Sequence, residues 1–465
     1  MIYQNNKGYY KTNNIGNKQI YRPSYYYPYN KSNNYAAPIK ATANIKTFSG
    51  IKKNQQTQKS SEIGKPSFKE DIKKINRNIS QLNSKLNPKN KLAAIQTIQT
   101  QRFSNGAIGL LNIGNTCFLN AAIQNLKNVY ILTKSLLVDC ENVVFPDFTK
   151  TFRHLLANLI NQESEQFFSP EKFYSQLVSV SSLFNFWQQN DSNLCIITIL
   201  SLLSREIRAV KNSIRINYCP KYIISNISDP KEKEKFEIFD KKNKEKRLSP
   251  IIDNFYGYQV DIYKCENKNC GYVNYTFQIL SVLNLPIVDK NNERINSLKQ
   301  SMKYYQEKSF HYNEKEFSCK NCNQYYISTQ SILISLPKIF IINLKRLGEQ
   351  NFYSHNLEIP RSFEAKEIAV NWNHSNFEYE LTGFIKHYGG ANSGHNIAIC
   401  NNFFDSIWYE YNDSRVKFMG NAGYHNNNID LSNGFLFFYV QKDNVDNSAN
   451  YSIIAEKARK LKNRI

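Results

Sequence analysis

Apolar spacing along this chain is helical first and strand-like afterwards, and the two do not alternate. From Phe118 to Leu126, apolar side chains fall at i, i+1, i+4, i+5 and i+8, the spacing of a helix with one buried face. Further helices are expected at 152–160, at 194–210, and after Ser169-Pro170, where a capping residue precedes proline at the first helical position. From about Phe255 the pattern is that of strands, at 332–336, 339–344, 381–386, 397–400, 408–411 and 435–441. Helices in one block and strands in the next give an α+β domain rather than a repeating parallel βαβ sheet.

Patterned sequence begins near Gly106. Residues 1–105 hold 19 Lys and Arg against three acids, Glu62, Glu70 and Asp71, and nine tyrosines lie within the first 35 positions. This segment reads as a disordered basic tail rich in Asn, Tyr and Lys, with one weaker helical stretch from about Phe68 to Leu86. It carries most of the chain's formal charge of +22, so the folded part is near neutral. The basic signal is therefore a tail property, which leaves a nucleic-acid or acidic partner open for the tail beside a plain solvated role.

No run of 18 apolar residues exists, so no membrane span is expected. The first residues lack the apolar run of a secretory signal, and the expected compartment is cytoplasm, nucleus or both. Nine cysteines then read as reduced thiols, metal ligands or a nucleophile. The stretch 231–247, with eight basic and five acidic residues, is expected to be a solvated surface loop. Residues 442–465 form a polar, basic C-terminal tail, in which Lys457–Lys462 reads as the polar face of a last helix or as a nuclear import signal.

Two segments carry chemistry. In the first, a loop rich in Gly and Asn, from Gly109 to Thr116, runs straight into the helix, and Cys117 falls at the helix start. Unpaired backbone N–H groups and the positive end of the helix dipole favour a thiolate there. That is how a thiol nucleophile is prepared, although a cysteine at such a place is also often a small buried apolar residue. Asn112, in the same loop, is placed to donate an amide N–H to an oxyanion. In the second segment a strand leads into the Gly-rich loop 389–394, which delivers His395 at the start of another strand. Asn412 and Asp413 follow the strand 408–411, and two antiparallel strands bring either within reach of His395.

Both segments resemble the cysteine and histidine boxes of the ubiquitin-specific protease family of deubiquitinases. Trp187-Gln188-Gln189-Asn190-Asp191 resembles that family's glutamine-rich motif, 336–346 its Leu-Pro … Leu-Lys-Arg strand, and 435–440 its closing aromatic strand. The resemblance covers about 106–441 and implies a papain-like catalytic domain of thumb, palm and fingers, with fingers at about 255–335. It implies Cys117 as nucleophile, His395 as base, Asn412 as third member, Asp413 as a supporting polar group and Asn112 as oxyanion donor. Asp191 would face the basic tail of ubiquitin, and His387 would line its channel. The implied activity is thiol-dependent hydrolysis of the isopeptide bond after the last Gly of ubiquitin.

Cys265 and Cys270 form one short-spaced pair and Cys319 and Cys322 another. Two such pairs suit a structural zinc held by four thiolates, which the resemblance supports as a zinc ribbon at the fingertips; a metal-free hairpin stays open, since the first pair has a wider spacing than usual. Two positions depart from the family pattern: Leu194 stands where an acid is common, and Asn396 where Tyr follows the histidine. These keep a weakly active or inactive ubiquitin-binding scaffold, or a protease for another ubiquitin-like modifier, as alternatives.

Overall fold

The structure, a computed structural model, describes residues 106–161, 167–210, 230–244, 249–313, 317–346, 353–369, 377–390, 394–421, 429–442 and 451–463. The expected tail 1–105, its helical stretch at 68–86, and Cys219 lie outside the described residues.

The first half is helical. Strand β1 (Gly109–Leu110) leads into α1 (Cys117–Asn128). Helix α2 (Tyr130–Lys134) passes into a π-helical turn at Ser135–Asp139. Then come α3 (Asp147–Asn161), β2 (Phe167–Phe168), α4 (Glu171–Val180) and α5 (Ser192–Ala209). Ahead of α4, Pro170 occupies the cap itself rather than the first helical position, and Ser169 Oγ accepts from the Glu171 N–H at 3.4 Å. Helix α1 differs from the expected one-faced helix, because all twelve of its residues are buried. It is wedged between α5 and the central sheet, so its polar side chains are enclosed as well.

Two helices, α6 (Pro230–Lys244) and α7 (Pro250–Phe255), lead into the strands. These are β3 (Gly257–Cys265), β4 (Val273–Leu280), β5 (Leu283–Leu285), then α8 (Leu298–Gln306), β6 (Ser309–Tyr312), β7 (Tyr326–Ser335) and β8 (Ile339–Leu344). The chain continues through β9 (Ser362–Glu364), α9 (Ala365–Ile368), β10 (Glu378–Gly389), β11 (Gly394–Asn402), β12 (Ile407–Asn412), β13 (Arg415–Asn421), β14 (Gly434–Gln441) and α10 (Tyr451–Lys462).

The central sheet has the order β13-β12-β11-β10-β14-β8-β5, with β9 beside β10. Both of its faces are covered. Ile385, Ala398, Cys400, Tyr411 and Phe438 share a core with helices α1 to α5, while Phe384, Ile397, Trp408, Phe437 and Tyr439 pack with α8 and α9. Burial on both faces is why Ile339–Ile342 of β8 and Phe435–Val440 of β14 read as apolar runs.

The second sheet, in the order β4-β3-β7-β6, falls in the stretch expected to form the fingers, which also holds other elements. Within 255–335, β5 and α8 belong to the central body, since β5 pairs β8 in parallel. A correction concerns the charged stretch 231–247: its residues up to 244 are helix α6, not loop. Phe236 and Phe239, one turn apart, pack on Tyr258, Val260 and Ile332 of the fingers sheet, and that narrow stripe anchors an otherwise charged helix. Residues 442–465, expected as a polar tail, contain the last helix whose polar face Lys457–Lys462 was expected to form: α10, which docks on α3 through buried Ile454 and Ala458. Among the described residues, no helix is long and apolar enough to cross a membrane.

Candidate active site

Cys117 is the first residue of α1 and is 3 % exposed. The loop before it is folded around one atom, Asn112 Oδ1. That oxygen accepts from the N–H of Gly114 at 3.1 Å and of Thr116 at 3.2 Å, and from Thr116 Oγ1 at 3.4 Å. Thr116 is thereby used within the loop and makes no side-chain cap on α1. The positive end of the helix is left facing Cys117.

His395 enters from the start of β11. The β11–β12 register pairs Ala398 with Tyr411, so one step further Asn412 stands diagonally across from His395. His395 Nε2 is 2.7 Å from Asn412 Oδ1. The amide oxygen is an acceptor, so Nε2 carries the hydrogen and Nδ1 is the nitrogen available to Cys117. The hydrogen bond with Cys117 is the largest influence raising His395, to about 9; burial opposes it, and Asn412 and the charges of Cys117 and Asp413 add to it. The site thus favours a protonated imidazole beside the sulfur.

Asp413 lies 4.0 Å from His395 Nε2 and is fixed from three sides. Its Oδ2 accepts from Asn112 Nδ2 at 2.9 Å, its Oδ1 from Asn120 Nδ2 at 2.8 Å, and its backbone carbonyl from the Leu110 N–H at 2.9 Å. It sits at φ +51°, a conformation that Asp tolerates better than most residues. The expected oxyanion donor Asn112 therefore spends one amide hydrogen on Asp413 and keeps a second. Asn120 was missed in the sequence: it looks like an ordinary polar residue on a helix, and only enclosure of α1 gives it a partner.

Asp191 caps α5, accepting from the Asn193 N–H at 2.7 Å. Crowding by surrounding atoms raises its carboxyl above the ordinary value, against the pull of two backbone N–H groups and of His387. His387 lies on β10 opposite Asn396; its Nδ1 is 2.9 Å from Asn396 Oδ1 and its Nε2 is 3.0 Å from the Gly390 carbonyl. Asn396 is thus engaged with His387, and Leu194 is half-buried against the helical core. Two further contacts escaped the sequence reading. Asn115 Nδ2 donates to the Trp187 carbonyl at 2.8 Å, and Gln189 Nε2 to the Gly394 carbonyl at 2.9 Å. The segment 187–189 so spans from the loop before Cys117 to the residue before His395.

Far from this cleft, Cys265, Cys270, Cys319 and Cys322 bring their sulfurs within 4.8 Å of one another. Cys265 and Cys270 flank the β3–β4 turn and Cys319 and Cys322 the β6–β7 turn, so neighbouring hairpins supply two ligands each. Four converging thiols form a cluster able to hold a metal ion.

Comparison with known proteins places these features in a family. A family profile described as ubiquitin carboxyl-terminal hydrolase matches residues 108–439. Ubiquitin carboxyl-terminal hydrolase 2 of Bos taurus is 25 % identical over 348 residues, 72 % of this chain and 55 % of the relative. Ubiquitin carboxyl-terminal hydrolase 21 of Bos taurus is 24 % identical over 362 residues, 73 % of this chain and 62 % of the relative. The chain thus spans a little over half the length of these curated relatives. A chain of the SAGA Ubp8/Sgf11/Sus1/Sgf73 DUB module bound to ubiquitin aldehyde has the same fold, with a TM-score of 0.53 at 18 % identity over 73 % of this chain and 70 % of that one. With the family profile covering most of its length, the chain belongs to the ubiquitin carboxyl-terminal hydrolase family.

Proposed function

We propose that this protein is a cysteine-type deubiquitinase that hydrolyses the isopeptide bond after the C-terminal Gly of ubiquitin. The observation that carries the reading is His395 held by Asn412 at 2.7 Å and raised by its bond to Cys117. His395 takes the proton from Cys117, or the two rest as an ion pair, and the thiolate attacks the carbonyl of the final Gly. The second Asn112 N–H and the backbone N–H of Cys117 receive the oxyanion. His395 protonates the departing lysine amine, then takes a proton from the water that opens the thioester. Asn412 orients the imidazole and does not react. Asp413 holds Asn112 in place, since both its carboxylate oxygens are bonded to side chains of the cysteine segment. Asp191 and His387 serve the ubiquitin tail, where a carboxylate beside the channel suits arginines.

The four-cysteine cluster fits zinc: four thiolates complete a tetrahedron and leave no open position, so the ion is structural. Cys265, Cys270, Cys319 and Cys322 would hold it and tie the two fingertip hairpins together.

The test is covalent capture with ubiquitin bearing a C-terminal thiol-reactive warhead. The expected result is one adduct on Cys117, absent in Cys117→Ala. Failure of the wild-type chain to react, with ubiquitin-like modifiers failing also, would return the chain to a binding role.

A further inference from the structure

One face of α1 does a job beyond presenting Cys117. Asn120, Gln124 and Lys127 stand at i, i+4 and i+7, on one side of the helix. Each donates to a carbonyl of the segment 106–111, which runs alongside in the opposite direction. Asn120 Nδ2 reaches the carbonyls of Leu110 at 3.4 Å and Leu111 at 3.3 Å; Gln124 Nε2 reaches Ile108 at 2.7 Å; Lys127 Nζ bonds the Gly106 carbonyl. Carbonyls 106, 108 and 110 are the alternate ones that an extended segment turns to one side. The result is a ladder of side chain to backbone bonds in place of a strand neighbour.

Lys127 adds a third connection. Its ammonium lies 5.0 Å from the centre of the Tyr411 ring and 3.4 Å from the Tyr411 hydroxyl. Tyr411 immediately precedes Asn412 on β12. Lys127 therefore touches the helix that starts with Cys117, the segment that ends at Asn112, and the strand that ends at Asn412. It is 1 % exposed. Burial draws its ammonium down to about 8, against the charges of Cys400 and Asp405. An enclosed ammonium is expensive to desolvate, and its hydrogen bond to the buried Gly106 carbonyl offsets that cost.

We propose that Lys127 is a positioning residue for the Cys117–His395 pair: it sets the register of segment 106–112 and of β12 against α1, and so places Asn112 and Asn412. The inference rests on the proposed roles of Cys117 and His395, not on the identity of the substrate. Its test reads the pair directly, by following alkylation of Cys117 with iodoacetamide across pH 5–10 by mass spectrometry, beside the melting temperature, in the full-length chain. In Lys127→Met the alkylation profile is expected to shift towards that of an unpaired thiol, with reactivity at pH 6 falling about tenfold at a temperature where the variant is fully folded, its melting temperature being lowered only modestly by the unpaired Gly106 carbonyl. Lys127→Gln, which keeps a donor for the Gly106 carbonyl, is expected to recover part of the reactivity. A Lys127→Met profile superimposable on wild type overturns the inference, as does a shift that only tracks a lowered melting temperature. Ubiquitin capture, run in parallel, tests the deubiquitinase reading separately: a shifted profile in a chain inert to ubiquitin sinks that reading and leaves this one standing.

Discussion

His395 owes its charge to its neighbours. Its largest support is the hydrogen bond with Cys117, so Cys117→Ala is expected to lower the His395 titration from about 9 towards the ordinary 6.5. NMR titration of the ring reads this directly, and an unmoved midpoint would refute the pairing. The linkage has a definite sign. A group raised in the fold stabilises it fully below pH 6.5 and loses that contribution as pH rises through about 9. The stability gap between wild type and Cys117→Ala should therefore narrow from pH 6.5 to pH 9. At Gly114 the constraint is steric. Its φ is +113°, and an added Cβ would lie 2.2 Å from the Trp187 ring. Gly114→Ala should displace the loop around Asn112 and cut turnover at least tenfold, with Cys117 still present. Turnover at the wild-type rate would show that the Trp187 contact is dispensable. Asn112, Cys117 and His395 were legible because a Gly-rich approach marks each. Asn120 was not, because its value depends on Asp413, 293 residues away.

Helices and strands were legible where one property dominates. The central strands announce themselves by apolar runs because both sheet faces are covered. Helix α6 hid because its only apolar stripe, Phe236 and Phe239, lies among many charges, and charge alone reads as loop. The four cysteines were legible as one site from their two short-spaced pairs, and β3 and β7 lying side by side is what brings the pairs together. That adjacency makes the fingertip a single unit, whose core besides the cysteines is little more than Ile327. A structural metal should then carry much of the local stability. Zinc is expected at one ion per chain by elemental analysis. Cys319→Ser should abolish it and expose the fingertip to proteolysis while leaving small-molecule alkylation of Cys117 intact. Full zinc content in that variant would show that the four thiols are not one site.

At the scale of the molecule, the site joins ends of the fold that are distant in sequence: Asn112 and Asp413 are 301 residues apart. The chain must complete the central sheet before Asn412 and Asp413 can meet the cysteine segment, so the helical half has to be a stable platform. Helix α10, beyond the matched region 108–439, contributes to that platform. Ile454 and Ala458 are buried, Asn161 Nδ2 donates to the Ala455 carbonyl at 2.8 Å, Lys457 pairs with Glu141, and Tyr451 packs edge-on to Tyr130. These contacts reach α2, α3 and the π-helical turn, and among the described residues none involves the loop 112–116. Ile454→Ala should therefore cost about 2–5 kcal/mol of stability by the loss of a buried side chain. Ala458→Asp, which buries a charge at the α3 contact, should cost more. Both variants should keep the wild-type alkylation profile of Cys117 at low temperature and, on warming, lose its enhanced reactivity at pH 6 and take on the profile of an ordinary thiol, as the helical half opens. Urea unfolding measured beside the alkylation rate separates the cases. A variant that loses reactivity while still fully folded would mean that α10 acts on the site itself, through α3 and α5, rather than on the platform beneath it.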